Sequence, residues 1–317
     1  MNCGLLLDEL YTEHETGYGH PERPERVEAL MKTLGGSDLA AQCLPIGMRD
    51  ATDDEVRLAH SDAYLALLKR EITGRSSGML TTGDTIYSPR SLEIARQATG
   101  GLLKAVDGVM NGDLDRAFCA VRPPGHHATK HLGMGFCIFN NAAIAARYAQ
   151  QAHGVDRVAI IDWDVHHGNG TQDIFYDDGS VFYFSTHQHP WYPGTGMRVE
   201  TGSGSGKGTT LNAPLPAGSG IDAIEAAFAE AIKAMADYKP DLVIISAGFD
   251  SRIGDPLGDL QLRDIDFVKL TEMLIDLAGE HAGGRIVSVL EGGYNLEGLV
   301  HATASHLLTL VEYGAEG

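Results

Sequence analysis

Five short apolar runs recur along the chain: Ala117 to Val121, Arg157 to Ile161, Val181 to Ser185, Asp241 to Ser246 and Arg285 to Leu290. Amphipathic stretches separate them. Ile221, Ile224, Phe228, Ala231, Ile232 and Met235 fall three and four apart, which predicts a helix from Ile221 to Tyr238, with Ser219 and Asp222 offering a capping box at its start. Pro89 opens a second helix toward Met110, and Asn140 to His153 reads as a third that stops at Gly154. Strand and helix in alternation imply a mainly parallel sheet with helices on both faces, an α/β fold. His187 to Gly196 and the glycine-rich Thr201 to Gly208 read as loops, the second as a mobile turn without the ending of a phosphate loop. The amphipathic stretch Leu296 to Tyr313 is expected to pack on its own sheet.

Polar chemistry collects where these runs end. After Arg157 to Ile161 come Asp162, Trp163, Asp164, Val165, His166, His167, Gly168, Asn169 and Gly170. Residues two apart on a strand face the same way, so Asp162, Asp164 and His166 can converge, and the glycines then turn the backbone away. A helix cap needs one Asp, so two Asp and two His point instead to a metal. Asp250, just past Asp241 to Ser246, is the best third ligand. Two carboxylates and one imidazole leave an open, catalytic type of site, which suits zinc and also Fe(II).

Two further run ends add the groups such a metal needs. The rigid Arg122-Pro123-Pro124-Gly125 turn precedes His126 and His127, an imidazole pair able to divide acid and base tasks. Gly292 and Gly293 let the backbone approach a ligand, and the Tyr294 phenol can donate to an oxyanion.

The 317 residues carry no linker or charge block, so one domain, 1–317, is expected. With 43 acidic against 24 basic residues the net charge is −19, which argues against nucleic-acid binding and suits a cationic partner. Cys3, Cys43, Cys119 and Cys137 form no CxxC pair and read as reduced thiols, pointing to the cytoplasm. Neither a secretory leader nor a membrane span is expected.

Gly125-His126-His127, Asp162 to Thr171, Tyr192-Pro193-Gly194-Thr195-Gly196, Ser246 to Asp250 and Gly292-Gly293-Tyr294 together resemble the metal-dependent histone deacetylase family, including its bacterial amidohydrolase and acetylpolyamine members. The likeness begins at His20-Pro21-Glu22-Arg23-Pro24-Glu25-Arg26 and covers nearly the whole chain. It implies the arginase/deacetylase fold, with long loops shaping a narrow channel. Asp164, His166 and Asp250 would hold Zn(II), with His126 and His127 as the acid/base pair and Tyr294 polarising the amide carbonyl. Asp162 would orient one histidine and Asn169 the other, the latter an amide where some members have an acid. Asp162, Asp164, His166, Ser185 and the Thr186 carbonyl would form an inner potassium site. Gly135, Phe136 and Tyr192 would line the acyl-lysine channel, Asp84 would anchor substrate at the rim, and Arg23 would sit beneath the metal.

The resemblance implies removal of an acetyl or other small acyl group from lysine side chains by metal-activated water. Acetylpolyamine hydrolysis is the close alternative, although Leu257 puts an apolar residue where polyamine-selective members can place an acid. A two-manganese ureohydrolase needs a further carboxylate where Arg252 stands. A non-catalytic acyl-lysine binder lacks support, since no residue needed for turnover is missing. Oligomeric state is not legible.

Overall fold

The structure, a computed structural model, describes residues 1–314. Among these residues eight strands form one parallel sheet: β1 (Cys3–Leu6), β2 (Leu44–Pro45), β5 (Arg116–Cys119), β6 (Val158–Asp162), β7 (Val181–Gln188), β8 (Thr210–Leu215), β9 (Leu242–Ala247) and β10 (Ile286–Leu290). Their spatial order is β2-β1-β5-β10-β9-β6-β7-β8, and β3 (Gly78–Met79) pairs antiparallel with β4 (Ile86–Tyr87) as a separate hairpin. The five apolar runs are β5, β6, β7, β9 and β10, each within a few residues of its expected bounds. β1, β2 and β8 are additional. β7 runs on to Gln188, so the first two residues of the expected His187 loop are strand.

Among the described residues there are ten α-helices: α1 (Glu25–Leu34), α2 (Asp38–Ala41), α3 (Asp53–Val56), α4 (Asp62–Ile72), α5 (Ser91–Asn111), α6 (Asn141–His153), α7 (Asn169–Phe175), α8 (Ile221–Tyr238), α9 (Asp264–His281) and α10 (Leu296–Glu312). Alternate residues of each central strand feed two separate cores. Val158 and Ile160 of β6 pack with α5 and α6 residues such as Leu102 and Ile144. Ala159 and Ile161 face the other way, toward Phe228 of α8 and Leu274 of α9. Both faces of the sheet are therefore sealed, as parallel sheets require.

α10 packs on the chain's own α1, α9 and β5, and all four cysteines are buried and free. The expected capping box at α8 does not form: Gly220 is the N-cap, and the Ser219 hydroxyl donates instead to the Pro216 carbonyl. The Thr201 to Gly208 segment contains a 3-10 turn over Gly204–Gly206 with Gly206 buried. Among the described residues, no helix is long and apolar enough to cross a membrane.

Candidate active site and metal centre

The neighbouring central strands β5, β10, β9 and β6 all point their carboxyl ends the same way, and the loops beyond those ends meet. From β6 come Asp164 and His166, and from β9 comes Asp250. One ligand atom from each lies within 4.8 Å of the others, and all three residues are buried. His166 Nδ1 is 3.0 Å from Asp164 Oδ1 and 3.2 Å from Asp250 Oδ2.

The remaining carboxylate oxygens are spoken for by the backbone. Val165 N–H donates to Asp250 Oδ1 and Gly292 N–H to Asp164 Oδ2, each at 2.8 Å. Asp250 Oδ2 is a buried oxygen with no hydrogen-bond partner, aimed at the point where the three ligands converge. Burial and then the Asp164 charge push the Asp250 carboxyl up to about 7. A buried carboxylate oxygen without a hydrogen-bond donor, beside a second acid, is costly. A divalent cation removes that cost, so the residues fit the metal expected for them.

Two glycines make the ligand cradle possible. A Cβ on Gly248 would lie 2.1 Å from Asp164 Oδ2, and one on Gly292 would lie 2.0 Å from Asp250 Oδ2.

The histidine pair follows β5. His126 Nδ1 donates to Asp162 Oδ2 at 3.0 Å, and that oxygen also accepts from the Tyr183 hydroxyl at 3.1 Å. His127 Nδ1 donates to the Asn169 amide oxygen at 2.8 Å. Burial works against charge on both rings. For His126 the Asp164 and Asp162 carboxylates outweigh it, holding the pKa well above the usual imidazole value. For His127 burial is reinforced by the His126 and His166 rings, and the pKa falls well below that value. The two rings are thus shifted in opposite directions, His126 toward the charged and His127 toward the neutral form.

A cavity of about 210 Å³ leads down to this point, lined by Asp84, His127, Gly135, Phe136, His166, Trp191, Tyr192, Leu257 and Tyr294. Tyr192 stands edge-on to His127, with ring centroids 5.1 Å apart, and Phe136 stands edge-on to Tyr294 at 6.1 Å. Gly135 (φ +56°) and Phe136 (φ +67°) are both left-handed. That conformation is strained for a phenylalanine and free for a glycine. A Cβ on Gly135 would strike the His127 ring. Asp84, in the β3–β4 turn, accepts the Gly135 N–H at 2.6 Å and so steadies this segment. Burial pushes the Tyr294 phenol far above its normal range, which keeps its proton available for donation.

Ser185 is the register partner of Asp162 on the adjacent strand, and both are buried with Thr186. The Ser185 hydroxyl contacts His187 Nδ1 at 2.9 Å. His167, the second imidazole of its pair, turns away from the cavity toward Thr195 and Gln172.

The sequence reading placed Arg23 beneath the metal, and the structure corrects this. Arg23 lines a surface cavity with Glu13, Glu15 and Glu25. The inner place belongs to Arg26, fully buried, donating to the Gly293 carbonyl at 2.7 Å and the Glu291 carbonyl at 2.6 Å, with its guanidinium 5.0 Å from the Tyr294 ring centre. Its signal was available: Arg26, Leu30 and Leu34 share the buried face of α1 at a spacing of four.

Glu291 was also missed. Its buried carboxylate accepts the Gly125 N–H at 2.6 Å, the His126 N–H at 3.1 Å and the Ser246 hydroxyl at 3.0 Å. It thereby ties the histidine loop to β9 and β10. Glu22, held well below the carboxylate range by Arg122 despite its burial, braces Arg26 and Arg122 behind the site.

A profile of the histone deacetylase domain matches residues 20–310. A probable deacetylase of Archaeoglobus fulgidus is 37% identical over 306 residues, covering 96% of this chain and 84% of that protein. The polyamine deacetylase HDAC10 of Homo sapiens is 40% identical over 98% of this chain, which spans 48% of the human protein. A crystal structure of the HDA15 HD domain superimposes with a TM-score of 0.91 at 37% identity, covering 98% of this chain and 89% of that one.

Proposed function

The chain belongs to the histone deacetylase family and is a deacetylase, and we propose that it is a zinc-dependent amidohydrolase of N-acyl-lysine side chains, with residues 1–314 in one catalytic domain; residues 315–317 of the expected domain lie outside the described residues. The observation that carries this reading is the shared floor of the cavity, where the converging ligands, His127 and the Tyr294 phenol meet beneath apolar walls.

Asp164, His166 and Asp250 would hold Zn(II), with Fe(II) the other ion the set accommodates, and the ion supplies carbonyl polarisation and an acidified water. Phe136 and Tyr192 grip the aliphatic stem and exclude water from its sides. Only a neutral imidazole can accept a proton, so His127, which lines the cavity, is the base. Once charged, it stands beside the scissile bond and returns that proton to the leaving amine. His126 lies behind it, its pKa raised by Asp164 and Asp162, and in its charged form would stabilise the negative charge that develops on the carbonyl oxygen. Tyr294 donates a hydrogen bond to the same oxygen. Asn169 orients His127 without adding a charge, while burial and the His126 and His166 rings favour its neutral form.

A potassium ion among Asp162, Asp164, His166, Ser185 and the Thr186 carbonyl accords with the buried carboxylates gathered behind the histidines. A reducing, cytoplasmic setting accords with four free cysteines.

The test compares kcat/KM of the zinc-loaded protein on an acetyl-lysine peptide and an acetylated polyamine. Preference for the peptide is expected from Leu257, whose apolar side chain offers nothing to an internal ammonium. Preference for the polyamine would overturn the lysine reading. A rate on either substrate that survives Asp250→Ala would remove the metal from the mechanism.

A further inference from the structure

Tyr294 and Leu257 lie on different loops, one after β10 and one between β9 and α9, yet both line the same cavity. A single carboxylate holds them. Asp255, only 8% exposed and absent from the cavity lining, accepts the Tyr294 N–H at 2.7 Å and the Asn295 N–H at 3.0 Å on Oδ2. On Oδ1 it accepts the Leu257 N–H at 2.9 Å. Three backbone donors on one buried anion form a strong, directional clamp.

The clamp continues on both sides. The Leu257 carbonyl accepts the Trp191 indole N–H at 2.8 Å, reaching the rim of the tunnel. Asn295 Nδ2 donates back to the Gly254 carbonyl at 2.9 Å, closing a second link between the two loops. Behind Tyr294 the backbone is Gly292-Gly293, with Gly293 at φ +118°. Two glycines supply little stiffness of their own. The position of the phenol therefore depends on what grips its backbone from the far side.

We propose that Asp255 is a positioning residue of the deacetylation site, fixing through one carboxylate both the Tyr294 hydroxyl at the floor and the Leu257 gate at the rim. This rests on the reading of Tyr294 as the group that polarises the carbonyl. Asp255 touches no reacting atom, and its two effects separate: loss of aim at Tyr294 lowers kcat, whereas movement of Leu257 changes which substrates enter.

The experiment is a double-mutant cycle with Asp255→Asn and Tyr294→Phe, measuring kcat, KM and zinc content on the peptide and the polyamine. Asparagine keeps the size but can offer an oxygen to only one of the two N–H groupings. Asp255→Asn is expected to lower kcat roughly tenfold or more, since a displaced catalytic group costs rate steeply. In the Tyr294→Phe background the same change is expected to leave kcat nearly unaltered, while the shift in peptide-to-polyamine preference persists.

An equal fall in kcat in both backgrounds would show that Asp255 acts on the fold at large, and an unaltered kcat in the single variant would show that the clamp is idle; either overturns the proposal. If Tyr294→Phe alone leaves kcat intact, the reading of Tyr294 fails first, and the cycle reports that separately. Should Asp255→Asn not fold, Asn295→Ser keeps a helix-capping hydroxyl and removes only the link to Gly254. The proposal then expects a smaller loss of kcat that again vanishes beside Tyr294→Phe, and loss that persists there would overturn it.

Discussion

Gly292 and Gly248 are the residues on which the metal centre most directly depends. Their missing side chains leave the volume that Asp250 and Asp164 occupy. Gly292→Ala is therefore expected to weaken metal retention by roughly tenfold or more, the scale on which disturbed outer partners lower affinity, read as zinc remaining after dialysis against a chelator. Wild-type retention would mean that the carboxylates can yield. Tyr294→Phe is expected to lower kcat by about 10²-fold or more, the effect of losing one oxyanion donor. At this scale the sequence was most informative where one residue type carries its own chemistry. Asp164, His166 and Asp250 could be named because acids and imidazoles crowd the ends of apolar runs. Glu291 and Asp255 could not, because what they grip is chiefly backbone N–H, which nearly every residue shares. Arg26 was confused with Arg23 because both lie in one short motif, and what separates them is the spacing of four that puts Arg26 with Leu30 and Leu34 on the buried face of α1.

Among the elements, β5, β10, β9, β6 and β7 were legible, whereas β1, β2 and β8 at the two sides of the sheet were not. β5, β6, β9 and β10 are buried along their length and read as mainly apolar runs, interrupted only by Arg116, Asp162, Ser246 and Ser288. β8 is an edge strand that includes Asn212 and Pro214, and β2 has two exposed residues, so neither shows a pattern above its surroundings. The missed cap at Ser219 has a similar cause: a serine near a helix start can bond back into the preceding turn instead. α5 carries its own test. A Cβ on Gly100 would lie 2.0 Å from the Arg49 carbonyl, and that loop is held across the helix by Arg96, which donates to the Ala51 carbonyl at 2.8 Å. Gly100→Ala is expected to destabilise by about 1–3 kcal/mol through overpacking, measured from the urea midpoint, because the clash is with backbone and not with a side chain that can swing aside.

At the scale of the whole molecule, acid should loosen the fold through histidines remote from the metal. His60 accepts the Asn140 N–H on Nε2, which leaves Nδ1 to donate to the Thr129 carbonyl and no room for a second proton. Burial lowers it to about 4, and lowers His14 and His306 to about 3. Unfolded, each titrates near 6.5. Below that pH the unfolded chain binds the extra protons, so stability is full above about 6.5 and declines as pH falls toward the folded values, by on the order of 1 kcal/mol per pH unit for each histidine. Tm should therefore drop between pH 6.5 and 4, and a flat profile would acquit these histidines. The strand order has a different consequence. β10, which begins at residue 286, sits between β5 and β9, so it is the last strand of the chain that joins the two halves of the sheet. During synthesis two part-sheets stand with open inner edges until that strand emerges. Closure waits on contacts some 170 residues apart along the chain, such as Arg116 with Ile286, which makes folding slow and leaves pairing edges exposed to other chains. The arrangement that gathers the catalytic loops at one place thus also makes the newborn chain a candidate for chaperone binding until residue 290 has been added.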